Sequence, residues 1–502
     1  MQADPHPAPA TGLRRSLLFS TAERYSVTAI NLALTIVLAR LMSPQETGAF
    51  MVGLGVLVIS EAVRDFGMSV YLVQEPEVTP ERARTTFTLM VAISILLAAS
   101  TVALAAPIAR FYGQEQLEAF LHIGAAGFLV GPFSAPLYAL LRRDMDFRGI
   151  ALVGIVGAVV NFTSAVILAV LGFGCLAVAW ASLAGTIASA ASLTLYRPRL
   201  WLFRPTLAAW RHVLGFGSYA TAAALLNQFY QLLPQFILGR MIGLDAVGLF
   251  SRAVWLCQLP ERSLLSGVYP VILPALAEEA RGGRTLTQPY LRAISYMTAT
   301  QWPFLVCLAL LADPAVRLLL GPQWSETAGL VRVVAVAWLA MFPAFLTHPV
   351  LVSVGRVRDT FVLSVISLPL SAAVTFAAAL FGLWAVAASL FLTVPLQVAV
   401  ALIFVRRQVP FAWTDLAGAT AKSAAATAAS AIAPAVAVLL SGPSFDLSMP
   451  VTFAAGAGAV LGWLAGLRLT RHPFLDEIGK ALDALARQKA VRALRLGRAA
   501  TS

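Results

Sequence analysis

Six of the 36 basic residues sit inside long apolar stretches: Arg24, Arg64, Arg252, Arg262, Arg332 and Lys422. A cation at the centre of a membrane helix costs about 2.5–3.5 kcal/mol, against about 0.3–0.6 gained per Leu or Ile, so such residues face a cavity or a partner. Acids in the same stretches are fewer: Glu23, Glu61, Asp65 and Glu261. Glu61, Arg64 and Asp65 stand at i, i+3 and i+4, which puts them on one helix face, and Glu261 adjoins Arg262. That spacing predicts structural or gating ion pairs for Glu61, Asp65, Glu261 and Arg262. Arg24, Arg252 and Arg332 have no acid three or four positions away. A net basic interior suits an anionic ligand. Amides cluster in one further apolar stretch, at Asn227, Gln228, Gln231 and Gln235 around Pro234. Amides suit sugar hydroxyls and guanidinium groups suit phosphate. The candidate binding residues are therefore Arg24, Arg64, Arg252, Arg332, Asn227, Gln228 and Gln231.

Other chemistry finds little support. Cys175, Cys257 and Cys307 are far apart, and His6, His122, His212, His348 and His472 are scattered, so neither a metal-site spacing nor a disulfide framework appears. The turns between spans that we assign to the outside carry Glu46, Glu115, Asp245, Asp313, Glu326 and Asp446, dispersed rather than paired. A glycan polymerase or glycosyltransferase would need catalytic carboxylates or a sizeable outside loop. No catalytic residue, metal or cofactor is expected.

The elements that must hold these charges are membrane helices. With 59% hydrophobic and 12% charged residues, the 502-residue chain has too little polar surface for water-soluble domains. Its apolar runs of about 20 residues match a hydrocarbon core of about 30 Å at 1.5 Å per residue. Spans are expected at 17–40, 49–72, 86–109, 117–140, 149–171 and 175–196. A second set follows at 213–239, 246–272, 290–312, 325–353, 360–380 and 383–405, and two more at 416–440 and 450–469. Fourteen spans put both termini on one side. If that side is cytoplasmic, inside segments hold 26 Lys and Arg, and outside turns hold only Arg40, Arg110, Arg240 and Arg317. Inside loops collect basic residues, so this asymmetry fixes the orientation and explains the net charge of +12 without nucleic acid.

The chain repeats itself. Leu38-Ala-Arg-Leu-Met-Ser-Pro-Gln-Glu-Thr-Gly-Ala-Phe50 shares its Leu, Arg, Gly and Phe with Leu238-Gly-Arg-Met-Ile-Gly-Leu-Asp-Ala-Val-Gly-Leu-Phe250, at an offset of 200. Glu61 answers Glu261, Pro107-Ile-Ala-Arg110 answers Pro314-Ala-Val-Arg317, and Gly174-Cys-Leu-Ala-Val-Ala179 answers Gly382-Leu-Trp-Ala-Val-Ala387. Two parallel six-helix repeats are the arrangement with which transporters build one site between two lobes.

The resulting division is a cytoplasmic tail over 1–16, a first lobe over 17–196, an interfacial connector over 197–212 and a second lobe over 213–405. Helices 13 and 14 follow over 416–469, then a basic amphipathic cytoplasmic tail over 470–502. The connector mixes Arg197, Arg199, Arg204 and Arg211 with Trp201, Phe203 and Trp210, as a segment at headgroup level does. In the tail, Ile478, Leu482 and Leu485 share a face, away from Lys480, Arg487, Lys489 and Arg492, and the segment is expected to rest on anionic lipid. Arg14-Arg15 resembles the start of a secretion signal, but Glu23-Arg24 interrupts the apolar core, so the first span is expected to stay as an anchor.

Several motifs, each short, together resemble the polysaccharide transporter branch of the multidrug/oligosaccharidyl-lipid/polysaccharide exporter superfamily, the Wzx-like flippases. They are Leu38–Gly48, Arg64-Asp-Phe-Gly-Met68 followed by Gln74, Ala106-Pro-Ile-Ala-Arg-Phe-Tyr-Gly113, and Leu140-Leu-Arg-Arg-Asp-Met-Asp-Phe-Arg148. Further on come Gly215-Phe-Gly217, Gly239-Arg240, Gly248-Leu-Phe-Ser-Arg-Ala253 and Leu320-Gly-Pro-Gln-Trp324. The resemblance implies a 14-helix inner-membrane protein with two six-helix lobes around a central cavity lined by helices one, two, seven and eight. It implies transfer of undecaprenyl-pyrophosphate-linked oligosaccharide to the periplasmic leaflet for O-antigen, capsule or exopolysaccharide. Arg24 and Arg252 would then meet the pyrophosphate, and a polysaccharide polymerase and a chain-length regulator would be partners. Members often carry an acid six positions before the arginine of the Gly-Arg pair; Pro234 stands there in this chain. The competing expectations are a cation-coupled drug antiporter of the same superfamily and a membrane-bound glycan polymerase.

Overall fold

The computed structural model describes residues 10–261, 285–442 and 447–477, with 282 and 479. The described chain is 87% helix without strands. The helices are α1 (Ala10–Leu41), α2 (Pro44–Asp65), α3 (Met68–Gln74), α4 (Pro80–Tyr112), α5 (Gln116–Arg143), α6 (Phe147–Val170), α7 (Cys175–Tyr196), α8 (Trp210–Met241) and α9 (Leu244–Cys257). After them come α10 (Thr287–Leu310), α11 (Ala312–Leu319), α12 (Ser325–Trp338), α13 (Phe342–Ser353), α14 (Val357–Ala379), α15 (Leu383–Gln408), α16 (Trp413–Ser441) and α17 (Met449–Leu469). Among the described residues, 12 helical segments are long and apolar enough to cross a membrane, and they coincide with 12 of the 14 expected spans. The remaining two fall on α8 and on a span that α9 begins. Arg262, the later part of the span expected over 246–272, and the expected amphipathic tail from Ile478 lie outside the described residues, apart from 479. This is a multi-pass membrane protein.

One expected span divides. The run 49–72 breaks after Asp65, because Phe66 and Gly67 adopt left-handed φ of 38° and 69°, which ends α2 and restarts the chain as α3. Gly takes that conformation at no steric cost, whereas Phe does not, so the break is held by its surroundings. Local sequence explains the other end of α2: Ser43 accepts from the Glu46 backbone N–H, Glu46 accepts from the Ser43 N–H at 2.8 Å, and Pro44 is the first helical residue.

The described chain forms two compact units. The first comprises Met1–Arg252, Leu319–Ser325 and Ala372–Val386. In it α3, α4, α5, α6 and α7 contribute Met68, Tyr71, Leu72, Phe87, Met90, Leu137, Val153 and Leu193, all nearly inaccessible, to one core. The connector joins this core by burying Leu202. Thr88 and Thr85 accept the backbone N–H groups of Thr206 and Ala209.

The repeated hairpins also meet inside this unit. A Cβ added at Gly48 would fall 1.8 Å from the carbonyl oxygen of Leu244, and one at Gly248 would fall 2.1 Å from that of Pro44. Leu244 is the counterpart of Pro44 at the offset of 200, so the contact is reciprocal, as across a two-fold axis. Only residues without a Cβ permit that backbone approach. Beside it, Trp324 and Gln323 both donate to the Ala39 carbonyl at 2.7 Å.

The second unit comprises Ala253–Leu318, Glu326–Ser371 and Ala387–Ser502. Here α16 and α17 pack on α10, with the Trp463 Nε1–H donating to the Ala299 carbonyl at 2.7 Å. Past the last span, His472 is buried against both helices; its Nε2 lies 3.1 Å from Ser295 Oγ and 3.2 Å from Ser423 Oγ. The Phe474 N–H donates to its Nδ1, which fixes the neutral ring with its proton on Nε2.

Candidate functional site

The last turns of α2 open onto a cavity of about 750 Å³ inside the first unit. Glu61, Arg64 and Asp65 come from α2, Ser69 and Gln74 from α3, Ser134, Tyr138 and Arg142 from α5, Gly154 from α6, and Ser189 from α7. The core formed around α3 packs alongside it and sets where these side chains project.

Arg64 is the most deeply set charge there. Its Nη2 donates to Glu61 Oε1 at 2.7 Å; the arginine side chain is 10% exposed and the glutamate 59%. The guanidinium lies against the backbone of α5, where a Cβ on Gly131 would come within 2.0 Å of Nη1. Gly131 therefore makes the room that Arg64 occupies. Asp65, the third member of the predicted face, is not the partner of Arg64: it accepts from Ser69 Oγ across the break into α3. Arg142 lies 5.9 Å from the Tyr138 ring centroid. Glu23 of α1 reaches the same wall, 3.0 Å from where a Cβ of Gly154 would be, within the fields of Arg24 and Arg142. The lining thus carries Arg64 and Arg142 beside Glu61 and Asp65, with Glu23 next to Gly154.

A second polar cluster ties α3, α4 and α8 together beside the cavity. Glu75 Oε1 accepts from Arg82 at 2.7 Å and lies 3.1 Å from His212 Nε2. Arg143 donates to the carbonyls of Leu72, Glu75 and Pro76 and so closes the end of α3.

The other expected binding residues lie elsewhere. Arg24 is exposed on α1. Arg252 is 3% exposed, its guanidinium 5.6 Å from the centroid of the buried Trp324 ring, and among the described residues its Nε finds no acceptor. Asn227 and Gln228 are half-buried and Gln231 is exposed on α8; none of them lines the cavity. Arg332, in the second unit, is ion-paired to Asp313, 19 positions away and so invisible to helix spacing. Glu261 is half-buried. Ser69, Gln74, Ser134, Tyr138, Arg142 and Ser189 line the cavity and are not among the expected binding residues. Arg142 falls just past the span expected over 117–140; its i, i+4 relation to Tyr138 is the signal that places it on the same helix. Among the described residues no group of three or more His, Cys, Asp or Glu could hold a metal ion.

Residues 37–329 match the sequence profile of a family described as polysaccharide biosynthesis protein. The succinoglycan biosynthesis transport protein ExoT of Rhizobium meliloti is 26% identical over 327 residues, covering 64% of this chain and 65% of that protein. The lipopolysaccharide biosynthesis protein WzxC of Escherichia coli is 23% identical, over 60% of this chain and 62% of its own length. The chain therefore spans less than two thirds of the length of these two relatives. The teichuronic acid biosynthesis protein TuaB of Bacillus subtilis is 23% identical over 71% of this chain and 76% of that one. Among solved structures, the lipid II flippase MurJ in an inward closed conformation superposes with a TM-score of 0.75 at 14% identity, over 91% of this chain and all of that one. An inward-facing multidrug resistance MATE transporter superposes at 0.63 with 17% identity, over 78% of this chain and 98% of that one. These structural likenesses establish a shared fold.

Proposed function

The chain belongs to the polysaccharide biosynthesis protein family, and on that premise we infer that it is a flippase for undecaprenyl-pyrophosphate-linked oligosaccharide. It serves the assembly of a surface polysaccharide such as O-antigen, capsule or exopolysaccharide. The observation that carries this reading is the buried guanidinium of Arg64 in the wall of a polar cavity inside a membrane bundle. The cost of burying Arg64 is offset in part by its pair with the exposed Glu61, and its planar fork of donors also matches the oxygens of a phosphate. Serine and glutamine hydroxyl and amide groups around it suit sugar.

A pyrophosphate bearing several sugars cannot cross hydrocarbon unaided. In this reading the two six-helix repeats form lobes over 17–196 and 213–405, joined by the connector over 197–212. They rock about a central cavity that opens to each side in turn. The full protein has 14 spans in the bacterial inner membrane with both termini cytoplasmic, and the prenyl tail stays in lipid. Arg24, Arg64 and Arg252 are the residues that meet the pyrophosphate. Asn227, Gln228 and Gln231 follow the glycan, and Glu61, Asp65, Glu261 and Arg262 adjust the local charge. Arg332 serves the second lobe through its pair with Asp313. A polysaccharide polymerase and a chain-length regulator act downstream, and no covalent step occurs in this chain.

The test is the leaflet in which lipid-linked glycan resides in cells carrying wild type, a deletion, Arg64→Ala, or Arg24→Ala with Arg252→Ala. Accumulation on the cytoplasmic face with loss of surface polysaccharide supports flipping. Glycan that reaches the outer leaflet and stays unpolymerised refutes it.

A further inference from the structure

We propose that Glu61 is a displaceable counter-ion that holds the place of the ligand's phosphate on Arg64 and swings into the open cavity when the ligand binds. The proposal rests on reading this cavity as a pyrophosphate site.

Three observations carry it. The pair is asymmetric, with the Arg64 side chain sealed at 10% exposure and its partner Glu61 open at 59%. Arg64 cannot move further toward α5, because its Nη1 already lies against Gly131, 2.0 Å from where a Cβ there would stand. The neighbouring acid does not compete for it, since Asp65 is engaged by Ser69. Arg64 Nη2 is thus met by the solvent-exposed carboxylate of Glu61, and in this proposal it becomes available when that carboxylate rotates away.

Local charge gives the same answer. Arg64 and Arg142 stand beside Glu61 and Asp65 around the lining. A pyrophosphate entering beside all of them would meet a carboxylate on its own binding face, and like charges in a partly desolvated space repel. Moving Glu61 removes that repulsion and frees the forked donors for phosphate oxygens. Its return helps to expel the headgroup, so Glu61 weakens binding in order to permit release. A purely structural pair behaves in the opposite way: losing Glu61 would leave Arg64 without a counter-charge and disturb its position, and the site would weaken.

The experiment is calorimetric titration of the purified full chain in nanodiscs with geranyl pyrophosphate, with inorganic pyrophosphate as the second probe to separate the headgroup from the prenyl chain. For Glu61→Gln the expected Kd falls about two- to fivefold, the equivalent of one ion pair open to solvent on one side. Arg64→Gln weakens binding and abolishes the gain when combined with Glu61→Gln. Glu61→Asp, which keeps the charge and shortens its reach, shifts Kd in the same direction by less, and serves if the Gln variant does not fold. Wild-type binding with an unchanged or weaker Glu61→Gln overturns the counter-ion role and leaves the pyrophosphate site standing. No binding of either probe to wild type or Glu61→Gln overturns both.

Discussion

The reciprocal glycine crossing makes a quantitative prediction. A Cβ at Gly48 would stand 1.8 Å from the Leu244 carbonyl oxygen, and one at Gly248 2.1 Å from that of Pro44. An ordinary carbon to carbonyl-oxygen contact is about 3.3–3.6 Å, so Gly48→Ala requires α2 and the start of α9 to separate by roughly 1.5 Å. Both obstructing atoms are backbone, and no rotamer relieves them. Overpacking costs about 1–3 kcal/mol, and a clash against backbone on this scale belongs at the upper end. Ala regains up to about 1 kcal/mol of helix propensity over Gly. The net expectation is a loss of about 2 kcal/mol for either substitution. The pair must be non-additive, because one separation relieves both clashes, so the double variant loses little more than one single. Gly127→Ala is the control: nothing stands within 4 Å of its added Cβ, so it is neutral or slightly stabilising. Thermal unfolding in detergent of the four chains and the control reads this directly. Additive losses, or singles as stable as wild type, would refute the reciprocal contact.

Other perturbations test particular sites. Gly131→Ala places a methyl group 2.0 Å from the present position of Arg64 Nη1, so it should expel the guanidinium and weaken pyrophosphate binding tenfold or more while the helix itself is preserved; titration calorimetry checks this. Burial, and then the Lys422 charge, hold the His472 imidazole below its usual range. The fold thus favours the neutral ring. Its contribution is fully present above the unfolded value of about 6.5 and is lost as pH falls from there through the lower folded value. Melting temperature should drop across that window, and the drop should flatten in His472→Gln. Asp313→Asn removes the carboxylate paired with Arg332, whose side chain is 30% exposed, and should destabilise by about 1 kcal/mol or less. Adding Arg332→Gln should recover most of that loss, as a double-mutant cycle would reveal.

Sequence alone determined the class of this protein. Length, apolar runs and the distribution of arginine specify a multi-span helical membrane protein, because hydrocarbon leaves a chain few other options. The offset of 200 between the hairpins was equally legible, and so was the Glu61–Arg64 pair, since i, i+3 on a helix is a local relation. Relations between helices were not. Asp313 as the partner of Arg332, and Trp324 as the cover over Arg252, join segments that no periodicity links. Arg142 looked like a loop charge until α5 carried it one turn further and placed it in the cavity wall. The break at Phe66–Gly67 likewise depends on the packing of α3, which turns Asp65 from Arg64 toward Ser69. Composition fixes how much charge lies within the membrane, but only the packing of helices decides which charges meet, as it sets Arg142 into the wall that Arg64 and Glu61 share.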